Sequence, residues 1–129
     1  MSHEIGIWLD HKKAVIVSAT AGQVAVVKTV AADVDPHPHF AGSHEGGGEK
    51  KYEERHSRQL QQYFDEIVSH IGRPDAVLLF GPGEAKQQLK ERIERSKALS
   101  HAIVEVESAD WLTQPQIVAR VSEHFAVPH

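Results

Sequence analysis

The chain has 129 residues, 40% of them hydrophobic and 25% charged, enough for one domain with a real core and too apolar for a globally disordered chain. Fourteen Lys and Arg against eighteen Asp and Glu give a formal charge of -4, which excludes a generally basic nucleic-acid-coating surface and leaves room for a local basic patch. There is no cysteine, so disulfide scaffolds, thiolate zinc sites and cysteine nucleophiles are excluded.

No apolar run approaches the roughly 20 residues of a membrane helix. Met1-Ser2-His3-Glu4 lacks the basic-then-apolar order of a signal peptide. A cytoplasmic location is the expectation. Three short β-branched runs come first: Ile5 to Leu9, Ala14 to Val17, and Gln23 to Val30. Short length, valine and isoleucine enrichment and turn punctuation predict an antiparallel meander. Between the first two runs, Asp10-His11-Lys12 reads as a hairpin turn.

Residues Ala31 to Lys51 form a different stretch, with Pro36, Pro38, Gly42 and Gly46-Gly47-Gly48 and few large apolar side chains. It predicts one long Gly/His/Pro-rich loop, longer than compact domains usually carry. Four of the ten histidines, His37, His39, His44 and His56, fall in or just after it. Imidazole suits zinc, nickel and copper. The spacing matches no established zinc motif, so a solvated His-rich loop and no metal is the expectation.

From Tyr52 to Ile71, apolar residues recur at steps of three and four, which predicts a helix stopped by Gly72 and Pro74. Asp75 to Phe80 is a continuous apolar run, as in a strand covered on both faces. Gly81-Pro82-Gly83 breaks it. A helix from Glu84 to Ser96, a strand from Ala102 to Val106 and a helix from Thr113 to Phe125 complete the order βββαβαβα. A meander followed by two crossover units predicts an α/β, ribonuclease-H-like mixed five-strand sheet in a single domain over residues 1–129, with helices covering the sheet.

The motifs carry several chemical readings. Gly46, Gly47 and Gly48 are either a linker or a loop tip whose bare backbone approaches RNA. Lys50, Lys51, Arg55 and Arg58 follow at spacings that could line one side of a helix. Gly81 and Gly83 precede a helix whose first turn holds Lys86, and a helix N-terminus can hold an anion. The same residues also suit a tight strand-to-helix turn. In that helix Lys86, Lys90, Arg92, Arg95 and Lys97 outnumber Glu84, Glu91 and Glu94, making it the best basic patch in the chain. Asp10, at the end of the first strand, has the position of a metal-binding aspartate in ribonuclease-H-like nucleases, but no partner carboxylates are placed with it. Trp8 and Trp111 read as packing residues, Trp111 as a staple at the start of the last helix.

At Gly46-Gly47-Gly48 and Phe80-Gly81-Pro82-Gly83-Glu84-Ala85-Lys86 the chain resembles the middle domain of the eukaryotic and archaeal class-one peptide-chain release factors and of Pelota. The resemblance runs from about Glu4 to Phe125. In that family a long loop carries Gly-Gly-Gln at its tip, and the glutamine places water on the peptidyl-tRNA ester. Here Gly46-Gly47 is followed by Gly48 and Glu49, with no Gln before Gln59. The resemblance implies a protein that engages the ribosome or tRNA without hydrolysis, needs no cofactor, and contacts RNA through Gly46–Gly48, Lys50, Lys51, Arg55 and Arg58. A stress or protein-interaction adaptor on the same fold is the alternative, and a metal-dependent nuclease or hydrolase using Asp10 is a more distant one.

Overall fold

The structure is a computed structural model and describes residues 3–20, 23–32, 46–96, 99 and 102–125, with side chains in the first helix from residue 57 onward. The elements are β1 (His3–Leu9), β2 (Lys13–Thr20), β3 (Gln23–Ala31), α1 (Gly46–Ser69), β4 (Ala76–Gly81), α2 (Ala85–Arg95), β5 (Ile103–Ser108) and α3 (Gln114–Phe125). The order βββαβαβα is the one expected.

The strands form one open five-stranded sheet in the order β3-β2-β1-β4-β5. β1–β2 and β2–β3 are antiparallel, while β4 runs parallel to both β1 and β5. This is the mixed, ribonuclease-H-like sheet that the sequence predicts. β2 and β3 change register between Ile16 and Val17, so Val27 is the extra residue of a bulge on an edge strand and is half exposed.

Helices cover both faces. Ile5, Ile7, Leu9, Ile16, Val77 and Leu79 pack against Phe64 and Ile67 of α1 and Leu89 and Ile93 of α2. Trp8, Val15, Val17, Leu78 and Phe80 face Ile117 and Val121 of α3. The central strands β1 and β4 are buried on both faces, which is why their sequences are continuously apolar. At Gly6 a Cβ would stand 2.3 Å from Val121 Cγ2, so α3 seats directly on the bare β1 backbone. α3 begins with a reciprocal cap: Gln116 N donates to Thr113 Oγ1 at 3.3 Å and Thr113 N donates to Gln116 Oε1 at 2.8 Å.

The main departure lies before α1. The helix begins at Gly46, not near Tyr52, so Gly46–Gly48, Lys50 and Lys51 are helical rather than part of a long loop. Glycine tolerates a helix at a cost of about 1 kcal/mol each relative to alanine. The helix formers Glu49, Lys50, Lys51, Glu53 and Glu54 that follow carry the helix back through them. The expected loop tip is therefore the first turn of a helix. His37, His39 and His44 lie outside the described residues, as does the His56 side chain. At its other end α1 closes as expected, with Gly72 at φ +63°.

Candidate functional site

In open sheets with parallel strands, sites form beyond the strand C-termini where successive connections diverge. Here β1 leads through a tight hairpin to β2 on one side, and neighbouring β4 leads through α2 to β5 on the other. The divergence lies between Leu9 and Gly81. Two concavities flank it. One, of about 240 Å³, is lined by Asp10, His11, Lys12, Pro82, Gly83 and Trp111. The other, of about 390 Å³, is lined by residues of the Gly81–Gly83 turn with Lys86, Ser108, Ala109 and Asp110.

The walls are firmly built. Asp10 Oδ1 accepts from the backbone N–H groups of Lys12 and Lys13 at 2.7 and 2.9 Å, and Asp10 N donates to Lys13 O. Asp10 is thus the hairpin-turn residue that its sequence position suggests, with its carboxylate turned onto the backbone. Beneath it, the buried Tyr63 hydroxyl donates to Asp10 O at 2.9 Å. Burial first, and then the charge of Asp10, push the Tyr63 phenol well above its ordinary range. His11 Nε2 donates to Gln88 Oε1 at 2.7 Å, tying the hairpin to α2.

Gly81 ends β4 with φ +147°, and a Cβ there would lie 2.2 Å from Leu9 O. No L side chain fits that contact. Gly83 has φ +73° and turns the chain into α2. Lys86 stands where expected in the first turn, but it is buried, and its ammonium donates to Gly83 O. The turn and the lysine thus hold one another, with Lys86 still bordering the larger concavity. Of the rest of the expected α2 basic patch, Lys97 lies outside the described residues, and two of the other cations face partners. Arg92 bonds Asp65 and Gln61 of α1, and Lys90 lies 4.0 Å from Glu94. Arg95 borders the clefts between α1 and α2.

α1 reaches the same end of the sheet. Its 24 residues span about 36 Å, whereas the seven of β1 span about 23 Å. Tyr63 meets the end of β1, so the helix before Tyr63 extends beyond the sheet. Positions 51, 55 and 58 fall on one side of α1, opposite the buried Tyr63 and Ile67, and position 50 is about 100° away. Arg58 is exposed.

Sequence reasoning missed Trp111. It is 70% exposed rather than stapled, although Trp8 is fully buried as expected. Its neighbours are fixed: Trp8 Nε1 donates to Asp110 O at 3.0 Å, and Ala109 and Leu112 pack against the α3-side core. An isolated Trp between an aspartate and a helix cap carries no periodicity to reveal its direction.

No protein-family model matches the sequence, and no curated protein does. Solved structures do. The Pelota protein of Thermoplasma acidophilum matches with TM-score 0.57 and 16% identity, over 88% of this chain and 30% of that one. An archaeal translation termination factor matches with TM-score 0.59 and 16% identity, over 94% and 34%. Pelota of Archaeoglobus fulgidus matches with TM-score 0.61 and 11% identity, over 96% and 32%. The likeness is one of fold. The chain spans about a third of the length of each of these structures. Among the described residues, no helix is long and apolar enough to cross a membrane.

Proposed function

We propose that this protein is a cytoplasmic, translation-associated factor that binds the ribosome or tRNA and does not hydrolyse peptidyl-tRNA. The observation that carries this reading is the shared fold with Pelota and an archaeal termination factor along nearly the whole chain. The want of hydrolysis rests on Gly48 and Glu49 standing where the release-factor motif has its glutamine. In this reading the N-terminal half of α1 is the probe. Gly46–Gly48 lead it, positions 51, 55 and 58, which the sequence fills with Lys, Arg and Arg, share one side of the helix, and position 50, a Lys, is about 100° away. The Gly81–Gly83 turn with Lys86 is a second, smaller contact, through backbone N–H groups at the start of α2.

Sedimentation of tagged protein through sucrose gradients tests the reading. Co-migration with ribosomal particles is expected in growing, starved or stalled cells, and absence from every ribosomal fraction in all three refutes it. Replacing Lys51, Arg55 and Arg58 together by Glu should release the protein from those fractions without unfolding it.

The pairing of Arg92 and Lys90, with the burial of Lys86, favours a second reading, a protein-interaction adaptor that has kept the fold and left translation. Co-purification of a non-ribosomal protein, with no RNA, would raise it above the first.

A further inference from the structure

Trp111 is the most exposed of the large apolar side chains among the described residues, and no hydrogen bond or ring contact within them engages its indole. The other two such side chains lie elsewhere. Val27 is on the β3 bulge, and Ile103 is at the opposite end of β5. The hollow beside Trp111 is mostly apolar, and Asp10, His11 and Lys12 supply its polar groups. The Lys12 ammonium across the concavity has no partner among the described residues, and His11 stands beside it. Pro82 supplies a second flat apolar wall.

The segment that presents the indole is rigid. Asp110 O is held by Trp8, Ala109 N donates to Gly81 O at 3.3 Å, and Thr113 begins the α3 cap. A large aromatic ring held out from a fixed backbone is pre-organised for a partner. A stable protein interface buries about 800 Å² on each partner, whereas this hollow, of about 240 Å³, is on the scale of a single flat ring. One aromatic face with an unpaired cation across the same hollow matches the repeating unit of single-stranded nucleic acid, a flat base beside a phosphate.

We infer that Trp111, Pro82 and Lys12 form a nucleobase-stacking site for single-stranded RNA, with the base on the indole and the adjoining phosphate at Lys12. The inference rests on the reading above that the chain contacts RNA, and it places a contact away from the α1 residues named there.

The test is titration of the full chain with labelled RNA oligomers of about ten nucleotides, oligo(U) and oligo(A), followed by fluorescence anisotropy. Indole emission is read in parallel. Wild-type protein should bind both, with indole quenching that is absent in W111F. W111A should bind at least about tenfold more weakly, and W111F should keep part of that loss. K12A should weaken binding to both oligomers alike and lower the salt slope by about one. Absence of binding up to about 100 μM overturns the inference, as does equal binding by W111A and wild type. A protein that binds wild type and not W111A, with no oligomer binding, also overturns it, in favour of a protein contact. Ribosome sedimentation of the same samples separates this inference from the function proposed above. Oligomer binding through Trp111 without ribosomal co-migration sinks only the earlier reading, and co-migration without oligomer binding sinks only this one.

Discussion

Among the described glycines, Gly6 and Gly81 are positions where single atoms limit what the fold accepts. At Gly6 an added methyl would meet Val121 Cγ2, the end of a side chain that can yield only by moving α3. Gly6→Ala should cost about 1–3 kcal/mol in urea denaturation, and Val121→Ala in the same chain should recover part of it by vacating the space. At Gly81 the obstacle is Leu9 O, in backbone, and φ is positive. Gly81→Ala should therefore cost about 2–4 kcal/mol, with no recovery from Val121→Ala. Tyr63 gives a pH signature. Its folded phenol holds its proton far above the ordinary value of 10.0, so the unfolded chain ionises first. The associated stability is fully present below about pH 10 and falls as pH rises beyond it. Of the two tyrosines, Tyr63 should ionise only on alkaline unfolding, visible as a late step in ultraviolet titration.

At the scale of elements, most boundaries were legible because burial wrote them into the sequence. β1 and β4 are apolar throughout since helices cover both faces, and α3 shows inward residues at helical spacing because only one side is buried. The start of α1 was not legible. Glycines describe what a backbone can do rather than what it does, and three in succession suit a loop or a helix turn equally. Helix continuity decided it. Gly48→Ala should then raise the thermal midpoint, by an amount that corresponds to about 1 kcal/mol. A fall in stability would mean that the glycine serves another conformation. Thr113→Ala, which removes one half of the α3 cap, should cost about 0.5–2 kcal/mol. By contrast Arg120→Ala should cost less than about 1 kcal/mol, since its pair with Glu107 is substantially exposed.

At the scale of the molecule, composition and patterning by themselves determined a single α/β sheet with three helices, and they marked the Gly81–Gly83 turn as special. They could do so because periodicity and turn chemistry are local. Only the tertiary structure decided which residues share the end of the sheet. Asp10–Lys12, Pro82 and Trp111 are far apart in sequence, and the parallel pairing of β1 with β4 and of β4 with β5 brings them to one end of the sheet. The structure likewise decided the state of the charges. Lys86 and Arg92 read as members of a basic patch in the sequence, yet burial against Gly83 O and pairing with Asp65 engage them, while the Lys12 ammonium has no partner among the described residues. The partner of Arg92 lies across the fold, and Lys86 bonds nearby backbone only because the turn folds under it, so the sequence alone fixes how many charges there are and leaves their availability to the packing.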